Sequence, residues 1–196
     1  DEAGGDNTTG SNNVALGANT AHYNTTLTTG VNNTLCGSYS YTTAADAEGV
    51  AVLGHAVGGA EGYTTVGYST SDIRAAHGTA TWAAVSDERV KKDIEDSTVG
   101  LAFINDLRPV TFNYKNKGDL PENFKGYEEG STEVYKNPKS QHGFIAQEVK
   151  AAIDKHSDIK DGFSMWDDDD PTGQQRVGET AVIPMLVKAI QELSAQ

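Results

Sequence analysis

The chain has 196 residues, a length that allows one or two domains. Its hydrophobic content of 37% is low for a globular protein, so a single copy is expected to bury a poor core in its first half and to need burial between chains. A net charge of −13 argues against binding to nucleic acid, which requires a basic face, and against adsorption to an anionic membrane. The single cysteine, Cys36, excludes an intrachain disulfide.

Charged residues divide the chain at Ser86. Residues 1–85 contain 7 of the 28 acidic residues and 1 of the 15 basic residues, and they are rich in Gly, Thr, Asn and Ala. A change in composition this sharp is typical of a boundary between two architectures. We therefore predict two domains, 1–85 and 86–196, and the first residues, Asp1–Gly5, resemble a cut made inside a longer protein.

A loose repeat runs through the first domain. Small or apolar residues followed by glycine recur, with Asn-rich or Gly-rich turns between them, at Gly17, Gly30, Gly37, Gly54 and Gly67. Short strands with such corners predict an all-β fold, a β-roll or β-helix whose rungs are covered by neighbouring rungs or chains. The pattern resembles the head repeats of trimeric autotransporter adhesins, which implies a trimeric shaft fragment. The alternative is a flexible Gly/Thr linker, but linkers rarely contain so many tyrosines and aliphatic residues.

The second domain has the periodicity of an α+β fold. Its predicted elements are a helix at about 97–107, a strand at 110–114, a strand at 143–146, and helices at about 147–155 and 180–195. Residues 115–140 are charged and contain several Gly and Pro, which predicts a long arm with little regular structure.

The terminal helix carries an apolar stripe that needs a partner surface. The stripe consists of Ile183, Leu186, Val187, Ile190 and Leu193. Two interpretations stay open: a three-helix bundle with two other copies, or packing onto its own domain.

Residues 86–94, Ser-Asp-Glu-Arg-Val-Lys-Lys-Asp-Ile, also allow two interpretations. In the structural one, Ser86 caps a helix by accepting a hydrogen bond from a first-turn N–H group, and the acidic residues suit the helix dipole. In the functional one, Ser86 is a nucleophile and Lys91 folds back to act as its base. A lysine can do so only where its pKa is lowered, which requires a packed site.

The pattern Ser-Asp-x-Arg-x-Lys-x-x-Ile resembles the start of the endosialidase-type intramolecular chaperones, found at the C-termini of phage tail spikes and fibres. Three further stretches agree with that family in the same order: 107–114, 142–149 and 183–193. The resemblance covers 86–196 and says nothing about residues 1–85.

The resemblance implies a C-terminal chaperone that trimerises and folds a tail fibre or spike. It then releases itself by cutting once between Val85 and Ser86, as a self-cleaving serine peptidase of the Ser-Lys type. Ser86 and Lys91 are the implied catalytic pair. The implied supporting residues are Asp87, Arg89, His142 and Gln147.

Expected partners are two further copies of the chain and its own upstream shaft, gripped by the arm; no nucleic acid, membrane, metal or other cofactor is expected. The fibre is expected in the virion, and its chaperone is expected to be made in the host cytoplasm and released by the cut.

Two alternatives to self-cleavage remain. In the first, the chain is a permanent trimeric adhesin tip whose shaft binds a host-cell surface receptor without cleavage. In the second, it is a calcium-dependent cap. The second rests on an EF-hand-like series, Asp168, Asp170 and Glu179, for which a solvated acidic loop is the favoured interpretation.

Overall fold

The computed structural model describes residues 2–195; Asp1 and Gln196 lie outside the described residues. The chain forms two compact units, Asp1–Asp93 and Ile94–Gln196. Segment 86–93 is therefore grouped with the first unit, whereas the change in composition placed the sequence boundary at Ser86. Within residues 2–195, no helix is long and apolar enough to cross a membrane.

The first unit is a β-solenoid, as the repeat predicted, and not a flexible linker. Its strands are β1 (Val14–Leu16), β2 (Thr34–Cys36), β3 (Tyr41–Thr42), β4 (Ala51–His55), β5 (Gly58–Gly59), β6 (Tyr63–Tyr68), β7 (Ser71–Ala76) and β8 (Ala83–Ala84). Strands β1, β2, β4 and β6 stack in parallel, one per rung, and β3 pairs with β5 in a second parallel sheet. Strands β7 and β8 extend the larger sheet in antiparallel fashion.

A column of glycines explains why the repeat is visible in the sequence. Gly17, Gly37 and Gly54 have φ of +123°, +131° and +147°, a region that other residues rarely adopt. A Cβ atom on Gly37 or Gly54 would lie 1.9 Å from a glycine carbonyl oxygen of the next rung. Gly30, which the pattern had grouped with them, is outside this column and lies beside the Ala47 carbonyl instead.

Rung length falls along the solenoid, which explains the irregular glycine intervals. Val14 pairs with Thr34, Thr34 with Ala51 and Ala51 with Thr64, so successive rungs take up 20, 17 and 13 residues. At one corner of successive rungs, a second column is formed by residues in the left-handed backbone conformation. These are Asn12, Asn32, Gly49 and Gly62, with φ between 58° and 74°. Successive rungs are shorter because their loops contain fewer residues, while the residues at the stacked corners keep the same backbone conformation.

The first unit buries a core within one chain, although its composition predicted a poor one. The buried apolar residues are Ala21, Leu27, Leu35, Ala47, Val50, Val52 and Val57. Asn33, which is 0% exposed, adds a polar ladder: its amide donates to Ala47 O (2.7 Å) and to Asn13 Oδ1 (3.1 Å), and its Oδ1 accepts from the Val50 N–H group (2.9 Å). Buried polar groups are tolerated when they are hydrogen-bonded in this way.

Within residues 94–195, the second unit contains three α-helices, two 3-10 turns and two short antiparallel strand pairs. Its α-helices and strands are α1 (Leu101–Asp106), β9 (Val110–Phe112), β10 (Gln141–Gly143), α2 (Ala146–Ile153), β11 (Trp166–Asp167), β12 (Arg176–Val177) and α3 (Ile183–Ser194), and the 3-10 turns are Lys117–Asp119 and Glu179–Val182. Strand β9 pairs with β10, and β11 pairs with β12. Phe103, Val149, Ile153 and Met165 form the centre of its core.

Several element boundaries differ from the sequence prediction, among them that of the strand predicted over 110–114, which ends at Phe112. Helix α1 begins at Leu101 rather than near residue 97, because Glu192 of α3 accepts a hydrogen bond from the Leu101 N–H group (2.8 Å). The strand predicted over 143–146 ends at Gly143, and Ala146 already belongs to α2. A tertiary contact therefore sets the start of α1, and the pairing with β9 sets the end of β10; local propensity sets neither.

The predicted arm, 115–140, has little regular structure, as expected, but it folds back on itself. Asn116 forms an isolated bridge with Val134. The Lys117 amine, whose side chain is 20% exposed, donates to Glu133 (2.7 Å) and Glu128 (3.1 Å). These hydrogen bonds raise the pKa of Lys117, and the bond to Glu133 has the larger effect.

Candidate functional site

The segment after β8 forms a tight turn organised by one carboxylate. Residues Glu88–Val90 form a single 3-10 turn, and Asp87 caps it by accepting a hydrogen bond from the Arg89 N–H group (2.9 Å). The same carboxylate accepts from Arg89 Nε (2.9 Å) and Nη2 (2.6 Å). These side-chain hydrogen bonds hold the pKa of Asp87 below its usual value. Asp87 and Arg89 thus keep the turn closed at neutral pH.

Ser86 is not the helix cap, which corrects the structural interpretation of this segment. Because Asp87 takes that role, the Ser86 hydroxyl is left to another partner, and it accepts a hydrogen bond of 2.7 Å from Lys91 Nζ. The backbone places Lys91 at the end of the 3-10 turn, where its N–H group donates to Glu88 O (2.9 Å). The turn therefore returns Lys91 towards the residue five positions earlier. Lys92 lies near Asp93 (3.9 Å) instead.

A hydroxyl next to a primary amine is a recognised nucleophile–base arrangement. Its base must be neutral to accept the hydroxyl proton, and partial burial favours the neutral amine. In a single chain, every residue from 77 to 98 is exposed. The geometry for proton transfer is therefore present, whereas the desolvated surroundings are not supplied by the chain alone.

The other two predicted site residues belong to the second unit. His142 lies on β10, with Nδ1 3.5 Å from Thr111 Oγ1, and lines an open cavity of about 390 Å³ together with Glu179. Gln147 lies in the first turn of α2 and lines a different cavity of about 480 Å³, beside the ring of Tyr135.

Residues 86–158 match the family model of the chaperone of endosialidase. The match supports an endosialidase-type C-terminal chaperone domain in this part of the chain. The match begins at Ser86 and includes the stretches 107–114 and 142–149, whereas the fourth stretch, 183–193, lies beyond it. The family is classified as a peptidase, which implies self-cleaving peptidase activity in general. No curated protein and no solved structure matches the chain.

An ion pair that the sequence analysis missed joins two motifs of the chaperone domain. Arg108 holds the carboxylate of Glu148 with both its Nε (2.9 Å) and its Nη2. The hydrogen bonds to Arg108 lower the pKa of Glu148. Both residues lie inside motifs quoted above, but their pairing across 40 positions could not be read from either motif alone.

The acidic stretch does not form the EF-hand-like site. Asp170 accepts hydrogen bonds from the Thr172 hydroxyl (2.6 Å) and from Arg176 (2.8 Å), which lower its pKa in that order of importance. Glu179 lies beside Gly143 instead. Among residues 2–195, no three His, Cys, Asp or Glu side chains are grouped to hold a metal ion.

The residues just before Ser86 were given no element of their own from the sequence. They form β8, which pairs with β7 through Ile73 opposite Ala84 and Arg74 opposite Ala83. Two alanines give a weak strand signal, so only the pairing partner identifies them.

Proposed function

We propose that the chaperone domain brings three copies of the chain together and folds the shaft. Each chain then cuts its own Val85–Ser86 bond once. Ser86 is the nucleophile and Lys91 the base. The observation that carries this proposal is the 2.7 Å contact between Lys91 Nζ and Ser86 Oγ, on the residue at which the family match begins.

In the proposed step, Ser86 Oγ attacks the carbonyl carbon of Val85 while its proton passes to Lys91 Nζ. Collapse of the tetrahedral intermediate breaks the Val85–Ser86 C–N bond, and the proton returns to the Ser86 nitrogen. The product is an ester between Val85 and the Ser86 hydroxyl. Water then hydrolyses the ester, which leaves a shaft ending in the Val85 carboxylate and a fragment beginning with the Ser86 amine.

Exposure of the site supports a cut that depends on assembly. An amine that is fully hydrated stays protonated at neutral pH, and burial against other chains would favour its neutral form. Segment 77–98 is exposed throughout, so it is available for such burial. The cut would then follow assembly and act as a check on it.

Two unpartnered apolar surfaces support the homotrimer. The stripe on α3 is 41–62% exposed, and its members are Ile183, Leu186, Val187, Ile190 and Leu193. The outer face of the shaft sheet exposes Val14, Leu16, Leu53 and Ile73. Exposed patches of this kind mark surfaces for association, and isoleucine on a helical seam is compatible with three strands.

The shaft needs such help because its contacts are non-local. Each parallel rung pairs residues that are 13 to 20 positions apart, so loop-closure entropy is lost before burial compensates for it. A C-terminal trimer would hold three shafts at high effective concentration during folding. We accordingly infer a tail fibre or spike of a virion as the final location of the shaft, with the chaperone made in the host cytoplasm and shed.

The test is mass spectrometry of the folded wild-type chain beside three variants. Wild type should yield a fragment that starts at Ser86, and Ser86→Ala should stay full-length. Lys91→Arg should also stay full-length, because arginine is a poor base. Lys92→Arg is the matched control and should be cut as wild type is. An uncut wild-type chain under folding conditions would refute self-cleavage.

A second candidate is favoured by a row of aromatic rings on the shaft. Centroids of Tyr23 and Tyr39 lie 5.2 Å apart, those of Tyr39 and His55 5.5 Å, and those of His55 and Tyr68 5.3 Å. Exposed aromatic rows suit receptor recognition, so the chain could serve as a permanent adhesin tip that binds a host-cell surface. That function predicts one band on a denaturing gel, whereas self-cleavage predicts two.

A further inference from the structure

Strand β8 ends one residue before the bond that we propose is cut. It pairs with β7, and β7 pairs with β6 over six residues, from Tyr63 opposite Ala76 to Tyr68 opposite Ser71. Strand β6 is the last parallel rung of the solenoid. A continuous path of strand pairing thus connects the end of the shaft to Ala84, the residue before Val85.

The turn between β7 and β8 is fastened to the same rung. The His77 N–H group donates to Gly62 O (2.8 Å), and His77 Nε2 lies 3.2 Å from Thr64 Oγ1. The Thr79 N–H and hydroxyl groups both bond to Ala76 O, at 3.1 and 2.8 Å. These contacts set where β8 starts, so they depend on a folded last rung.

We propose that β7 acts as the substrate-holding strand of the self-cleavage site. This role of β7 rests on the proposed roles of Ser86 and Lys91. Ile73 and Arg74 are its positioning residues. Their backbone keeps Ala83 and Ala84 extended and thereby presents the Val85 carbonyl to the Ser86 hydroxyl. The cut then requires the end of the shaft to be folded within each chain, in addition to assembly.

Physical chemistry favours this arrangement. A substrate segment added as a strand gains main-chain hydrogen bonds, and fixing the reacting atoms removes an entropic part of the barrier. The pairing is also confined to one side of the cut. No strand of the described sheet lies beyond Val85, so hydrolysis releases the chaperone without removing a strand from the shaft.

A pairing of only two residues is marginal in water, so small losses in its stability should appear directly in the cleavage rate. The double variant Ala83→Gly/Ala84→Gly makes the strand more flexible and should slow the cut about tenfold. Ala80→Gly makes the same chemical change in the unpaired turn and is the matched control, which should cut as fast as wild type.

Rescue by a cross-strand disulfide separates positioning from a general loss of structure. In a chain with Cys36→Ala and Ala83→Gly, the substitutions Ile73→Cys and Ala84→Cys place two thiols on directly opposite residues, a spacing that a disulfide can bridge. The oxidised protein should cut at the wild-type rate and the reduced protein more slowly. Rates are measured as appearance of the Ser86-initiated fragment after refolding, and trimer content is measured in parallel.

Equal rates in both redox states, or a Gly-Gly variant as fast as wild type, would overturn the inference while leaving Ser86 and Lys91 in place. A wild-type chain that is never cut at Ser86 would instead refute the proposed function itself.

Discussion

Removing the Asn33 side chain should destabilise the shaft. In Asn33→Ala, the Val50 N–H group loses its amide partner, whereas the Ala47 carbonyl keeps a hydrogen bond from the Val31 N–H group (3.2 Å). Val50 is 1% exposed, so water cannot replace the lost acceptor. An unsatisfied buried group costs about 1–3 kcal/mol, so we expect a loss of about 2 kcal/mol.

Hydrogen exchange followed by mass spectrometry measures this locally, in a Ser86→Ala background chosen to prevent the proposed cut. A loss of about 2 kcal/mol corresponds to a fall of about thirtyfold in the protection of amides in β2 and β4. Thr34→Ala is the control, because Thr34 is the next residue on β2 and is exposed. Its effect should stay within about 0.5 kcal/mol.

Protection in Asn33→Ala that equals protection in Thr34→Ala would refute the reasoning. It would mean that a neighbouring group or water satisfies the Val50 N–H group without the amide, and that the polar ladder contributes little to the stability of the solenoid.

Three further predictions concern other parts of the molecule. Gly54→Ala should cost about 3 kcal/mol or more by the same exchange assay, because its Cβ would overlap a carbonyl of the next rung; Gly49→Ala, with open space around it, should cost less. In the proposed homotrimer, Ile190→Gln should shift the equilibrium towards monomers in sedimentation equilibrium, and an unchanged trimer affinity would exclude α3 from the interface. Hydrogen bonds from Lys155 and from a neighbouring imidazole lower the pKa of Asp106. The stability that this carboxylate contributes is therefore present at neutral pH and is lost as the pH falls through the lowered pKa. Asp106→Asn should therefore reduce stability in denaturant titrations at pH 7 and make no difference in strong acid.

Much of the candidate site could be predicted because its information is local. Ser86 and Lys91 are five residues apart, and a short turn is enough to bring their side chains together. The capping role was predicted wrongly for the same local reason. Serine and aspartate are both good N-cap residues, and only the two hydrogen bonds from the Arg89 guanidinium to the Asp87 carboxylate decide between them.

The sequence by itself determined the division into two halves, the stacked-strand character of the first and the family of the second. Composition, spacing of small residues and short motifs are properties of neighbouring positions, so they can be read without coordinates. The tertiary structure alone decided which glycines stack and that Gly30 is not among them. It also decided that Ala83 and Ala84 form a strand just before the bond that we propose is cut. Those facts depend on register between segments 9 to 20 residues apart, and register is set by the packing of whole rungs, which no single segment encodes.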